Sequence, residues 1–92
     1  MEYKIVPHRV ACILTISGNG AEYECMLMSE HRDPECRPAQ SSVNAYSTVH
    51  FYALPENVRQ SIKAHFAKVF SIPNDGRRGK FVDSLQAFTV EG

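Results

Sequence analysis

The spacing of apolar residues changes along the chain, and each change marks a different element. From Arg9 to Ser17 every second residue is apolar, with Val10, Cys12, Leu14 and Ile16 on one side. From Ala21 to Met28 the same spacing brings Ala21, Tyr23, Cys25 and Leu27 together. A period of two is that of a half-buried strand. Between the runs stands Asn19-Gly20, a pair that accepts the positive φ angles of a type I′ turn and therefore predicts a hairpin. A two-residue loop at that point sets Ile16 opposite Tyr23, Leu14 opposite Cys25 and Cys12 opposite Leu27. A slip of one residue would instead place Ile16 against a glutamate.

Residues 29 to 42, SEHRDPECRPAQSS, are polar, contain two prolines and show no period, which predicts a long loop. Residues 43 to 53, VNAYSTVHFYA, are rich in β-branched and aromatic side chains and alternate, which predicts a third strand. That strand would turn Val43, Ala45, Val49 and Phe51 to the core and Asn44, Tyr46, Thr48, His50 and Tyr52 away from it. The period then lengthens. Val58, Ile62, His65, Phe66, Val69 and Phe70 recur at helical spacing, with Pro55 and Glu56 suited to a first turn and Pro73 barring continuation. The helix is expected from about Pro55 to Phe70, with Arg59, Lys63 and Lys68 on its polar face. Residues 71 to 80, SIPNDGRRGK, predict a basic glycine-containing loop. Residues 81 to 90, FVDSLQAFTV, fit a last strand or a short helix, and Phe88, Thr89 and Val90 favour the strand. A short extra strand at Tyr3 to Val6 is a further option.

The expected fold is a single α+β domain over residues 1 to 92, a small antiparallel sheet in the order β-β-β-α-β with one helix packed on one face. The other face would show Ala11, Ile13, Met26, Met28, Tyr46, His50 and Tyr52. So apolar a surface marks a partner site or a dimer interface. Monomer and weak homodimer both remain open.

Charge adds a second feature. The total is zero, yet residues 1 to 57 carry four basic against seven acidic side chains, and residues 58 to 92 carry six against three. An electrical dipole of this kind steers a charged partner to one end. The one apolar run near the N-terminus, Val10 to Ile16, reads as a strand and not as a signal peptide, and no stretch approaches a membrane span. Three cysteines, Cys12, Cys25 and Cys36, cannot all pair within one chain, so reduced thiols and a cytoplasmic setting are expected.

Motifs for catalysis are incomplete. Ser17-Gly18-Asn19-Gly20 begins a dinucleotide fingerprint, but Tyr23 occupies the position of the last glycine and a strand follows. Gly79-Lys80 ends like a phosphate-binding loop, but Asn74 replaces its first glycine and Phe81 its hydroxyl residue. His31-Arg32-Asp33 spells a kinase triplet, with Pro38 where asparagine is needed. Cys25, His31, Cys36 and His50 lack the short spacing that grips zinc, and the cysteines read as small buried hydrophobes. Cys36, flanked by Glu35 and Arg37, is the one thiol expected to be exposed, with no base placed beside it. His65 lies on the apolar side of the helix and reads as a boundary residue. No enzyme activity, cofactor or metal is expected.

Two patterns bear on binding. Gly76-Arg77-Arg78-Gly79, after a helix, resembles the GXXG loop of KH domains, in which glycines let the backbone approach a nucleic-acid chain. Asp75 stands where that family has an aliphatic residue. The resemblance implies a small RNA-binding module in which Arg77, Arg78 and Lys80 contact phosphates while Tyr46 and Tyr52 stack on bases. The second pattern combines the loop HRDPECRPAQSS, with Arg32 and Arg37, the GRRGK stretch, the helix residues Arg59 and Lys63, and a Tyr46, His50 and Tyr52 face. Tyrosine and arginine dominate binding hot spots. On a small domain without chemistry, this character resembles the phage-encoded anti-CRISPR inhibitors. It implies a stoichiometric inhibitor that docks on a protein or ribonucleoprotein assembly and prevents recognition or cutting of target DNA. Glu22, Glu24, Glu30, Asp33 and Glu35 rank this reading above the RNA-binding module, because dedicated nucleic-acid binders carry a strong basic excess.

Overall fold

A computed structural model describes residues 1–39 and 45–92. It is an α+β fold in which five strands form one antiparallel sheet: β1 (Glu2–Pro7), β2 (Ile13–Gly18), β3 (Ala21–Met26), β4 (Glu35–Pro38) and β5 (Phe88–Glu91), ordered β4-β3-β2-β1-β5. Among the described residues, three helices, α1 (Thr48–Tyr52), α2 (Glu56–Phe70) and α3 (Gly76–Ser84), intervene between β4 and β5.

The hairpin has the register that its turn dictates. Asn19 and Gly20 take φ values of 53° and 73°, the left-handed conformations of a type I′ turn. Ile16 then pairs with Tyr23 and Leu14 with Cys25. Leu14, Ile16 and Cys25 are fully buried, as are Ile5 on β1 and Cys36 on β4. The strand at the N-terminus is therefore a full member of the sheet. Val10 and Cys12 depart from the alternation: the chain turns between β1 and β2, leaving Val10 49% exposed and Cys12 half-buried.

Several expectations are corrected. The third strand over 43 to 53 is not formed: Val43 and Asn44 lie outside the described residues, and Thr48–Tyr52 is a single helical turn. Ser47 starts that turn by accepting the Val49 N–H at 3.0 Å, and Phe51 seals it by entering the core completely. Tertiary burial outweighs the β propensity of Thr48 and Val49. Val49, expected in the core, is 74% exposed. The loop over 29 to 42 contains a strand, β4, whose Cys36 and Arg37 stand opposite Cys25 and Glu24. Of the stretch expected as a basic loop, residues 71 to 75 connect α2 to α3 and residues 76 to 80 are the start of α3, capped by the Asp75 carboxylate on the Arg77 N–H at 2.8 Å, and residues 88 to 91 of the last segment form a strand.

The cysteine expectation is also corrected. Cys25 and Cys36, directly opposed on β3 and β4 with Cα atoms 4.1 Å apart, form a disulfide, so Cys36 is not an exposed thiol. Cys12 is the free cysteine.

The helices cover one face of the sheet. Phe51, Leu54, Val58, Ile62 and Phe66, at intervals of three and four, meet Tyr3, Ile5, Leu14, Ile16 and Cys25 in one core, and Val69, next on the same stripe, is also fully buried. Val82 is the buried residue of α3. Arg78 clamps α3 to the end of α2: its Nε donates to the Ile72 carbonyl at 2.9 Å and its guanidinium lies 4.8 Å over the Phe70 ring.

Candidate binding surface

The strongest grouping of side chains lies where the β3–β4 connection meets α1 and α2. Tyr52, at the end of α1, donates its hydroxyl to Asp33 Oδ2 at 2.5 Å. Lys63 of α2 approaches Asp33 Oδ1 at 3.5 Å. Arg59, one turn earlier on α2, lies 5.6 Å over the Tyr52 ring and donates Nη1 to the Tyr52 carbonyl at 3.2 Å and to the Leu54 carbonyl. The Tyr52 hydrogen bond, with help from Lys63, holds the Asp33 carboxyl below the usual carboxylate range, and the same bond pushes the Tyr52 phenol up. Asp33 is therefore ionised and Tyr52 neutral at physiological pH.

These contacts fix a side chain that solvent still reaches. Tyr52 is 50% exposed, and Val49, three residues earlier on the same side of α1, is 74% exposed. Asp33, the hydrogen-bond partner of Tyr52, also lines a cleft of about 410 Å³. Leu27, Pro34, Phe66, Ala67 and Phe70 make its apolar floor, and Glu30, Arg32, Asp33 and Lys63 stand among the polar groups at its rim. A concave apolar floor with a few charged groups around it fits a ligand with an apolar anchor and a polar margin.

The expected site residues thus separate into groups. Tyr52, Arg59 and Lys63 come together, and Arg32 lies at the cleft beside them. Arg37 and Tyr46 form a second group on the open sheet face, where Tyr46 donates to Glu24 Oε1, Arg37 lies 5.2 Å over the Tyr46 ring and its Nη2 is 3.6 Å from Glu24. Burial raises the Tyr46 phenol, and the hydrogen bond with Glu24 adds to the shift. Ile13 and Met26 are paired on that face, but His50 and Tyr52 belong to α1 and do not share it, which corrects the expected composition of the surface. His50 is half-buried.

Arg77, Arg78 and Lys80 lie on α3, not on a glycine loop. Arg77 folds back on Asp75 at 2.7 Å, and Arg78 is spent on the end of α2. The Asp75 carboxyl is lowered mainly by that Arg77 side chain. The arrangement has no backbone loop of the GXXG kind.

Asp33 and Glu24 organise both aromatic groups, yet neither belonged to the expected site. Their signal in the sequence is slight, since an acid in a polar loop or on an exposed strand position is ordinary. Among the described residues no three His, Cys, Asp or Glu side chains gather as a metal site, and no helix is long and apolar enough to cross a membrane. The chain matches no family model, no curated protein and no solved structure.

Proposed function

We propose that the chain is a non-enzymatic binding protein whose α1–α2 corner docks on a protein surface, alone or within a ribonucleoprotein, and blocks it. The observation that carries this reading is the half-exposed Tyr52, held by Asp33 and Arg59 beside an apolar-floored cleft. A tyrosine locked in place before binding loses little entropy on association, and tyrosines in such settings act as hot spots. The charges support a protein partner over a nucleic acid. Arg37, Arg77 and Lys63 each face a carboxylate, and Arg59 and Arg78 donate to backbone carbonyls just past the ends of α1 and α2, so these five of the ten Lys and Arg side chains are held in internal contacts and are less available to a phosphate chain.

The inhibitory outcome implied by the resemblance to anti-CRISPR proteins is tested in cells whose guide-RNA system destroys a targeted plasmid. Expression of the wild-type chain should rescue the plasmid. Tyr52→Ala should weaken the rescue by about tenfold or more, the loss expected of a hot-spot residue. Destruction of the plasmid at the same rate with and without the chain, across guide-RNA systems of different types, would remove the inhibitor reading.

A further inference from the structure

The two edges of the sheet are treated differently. Beyond β4 the chain returns alongside, and Ser47 exchanges backbone hydrogen bonds with Cys36 at 3.0 and 2.9 Å. Beyond β5 no backbone partner is present among the described residues. The phase of the β1–β5 ladder shows which groups face that open edge. Gly92 donates its N–H to the Met1 carbonyl at 2.8 Å, and the register pairs Tyr3 with Val90 and Lys4 with Thr89. In an antiparallel ladder the bonded pairs alternate, so Phe88 and Val90 turn their N–H and C=O groups inward to β1, while Thr89 and Glu91 turn theirs outward. The Glu91 carbonyl agrees with this phase, since it accepts the Asn57 side chain at 3.2 Å from outside the sheet.

We propose that this edge pairs antiparallel with the β5 of a second copy, about a two-fold axis at Val90, and joins the two sheets into one. In that register each Glu91 N–H meets the partner's Thr89 carbonyl and each Thr89 N–H meets the partner's Glu91 carbonyl, whose second lone pair is free of the Asn57 bond. Every outward group of the strand is then satisfied. Val90 faces its own copy across the axis, and Phe88, 38% exposed on the helix-covered side, extends over the partner's Gly92. On the open face Thr89 stands opposite the partner's Glu91, a hydroxyl against a carboxylate.

Neighbouring registers are worse. An axis at Glu91 would oppose two like charges, and an axis at Thr89 would pair Glu91 with the partner's Ala87, which lies beyond the end of β5. The interface is small, so the dimer is expected to dissociate within the micromolar to millimolar range. α1, which carries Tyr52, borders β4 at the opposite edge of the sheet, whereas the start of α2 touches β5 through Asn57 and lies near the proposed seam.

The test is sedimentation equilibrium from about 10 μM to about 1 mM. The wild-type mass should rise toward twice the monomer's, and Thr89→Pro should remain monomeric while its circular dichroism is unchanged, because the N–H it removes points away from β1. A second variant does not depend on tolerance of proline. In a Cys12→Ser background, Val90→Cys places two thiols across the axis at a spacing that permits a bond, and mild oxidation should yield a covalent dimer that reductant reverses. A wild-type chain that stays monomeric throughout, a dimer that survives Thr89→Pro, or a Val90→Cys variant that does not cross-link would each overturn the proposal.

Discussion

Reduction of the Cys25–Cys36 disulfide is the perturbation whose cost follows most directly from the structure. The bond closes a loop with a sequence separation of 11. In the chain-entropy account a loop of that size restricts the unfolded state by about 3 kcal/mol. For a domain whose net stability is expected near the lower end of about 5–15 kcal/mol, that is a large share. At about 4–8 °C per kcal/mol for a chain of this length, the melting temperature should fall by about 12 °C or more. Thermal melts with and without a phosphine reductant measure the drop, and a thiol titration in denaturant verifies the states, with one free thiol before reduction and three after it. The loop also carries Leu27, Glu30, Arg32, Asp33 and Pro34, half of the residues that line the cleft, so reduction should weaken partner binding as well as stability. A melting temperature within about 2 °C of the oxidised value, with three thiols titrated, would refute the reasoning.

Burial holds the His65 imidazole below its ordinary value. The unfolded chain therefore takes up the proton first, and the stability that neutral His65 contributes is intact above about pH 6.5 and is lost as pH falls through the lower folded value. His65→Leu should flatten the stability profile in that window, and denaturant titrations between pH 7 and pH 5 check it; an unchanged slope would show that His65 is not the responsible group. On α3 the two arginines should behave differently. Arg78→Ala removes the clamp on Phe70 and Ile72 and should lower stability by about 1–2 kcal/mol, whereas Arg77→Ala, which touches only exposed Asp75, should change it by less than about 0.5 kcal/mol. Equal effects in urea unfolding would show that Arg78 does not clamp the helices.

The parts of the fold that were legible share a physical cause. The β2–β3 hairpin followed from Asn19-Gly20 and the penalty of a one-residue slip, and α2 followed from a stripe that only a helix brings to one side. The third strand misled because Tyr46 to Tyr52 alternates while being rich in strand formers. The contrary signal was present: the spacing Phe51, Leu54, Val58, Ile62, Phe66 and Val69 carries the helical stripe of α2 back into α1. Asp75 before Gly76 was likewise a helix cap, hidden by a basic glycine pattern that suggests a loop. β4 was less accessible, since four residues that follow one proline and end on another give little period, and its place depends on Cys36 meeting Cys25. In the binding corner, Tyr52, Arg59 and Lys63 were visible as residue types suited to recognition. Asp33, which ties them together, acquires its role only when the β3–β4 connection folds over α2.

Affinity capture from a native host, with a nuclease wash and quantitative comparison of three variants, tests the central claim most directly. Tyr52→Ala removes the anchor, Ala67→Arg fills the cleft from an exposed helix position, and Lys80→Ala changes a charge remote from both. The account predicts one protein partner that survives the nuclease, is retained by the wild-type chain and Lys80→Ala, and falls about tenfold or more with Tyr52→Ala and with Ala67→Arg. A partner retained equally by all three variants, or material that the nuclease removes and that Lys80→Ala weakens most, would contradict it.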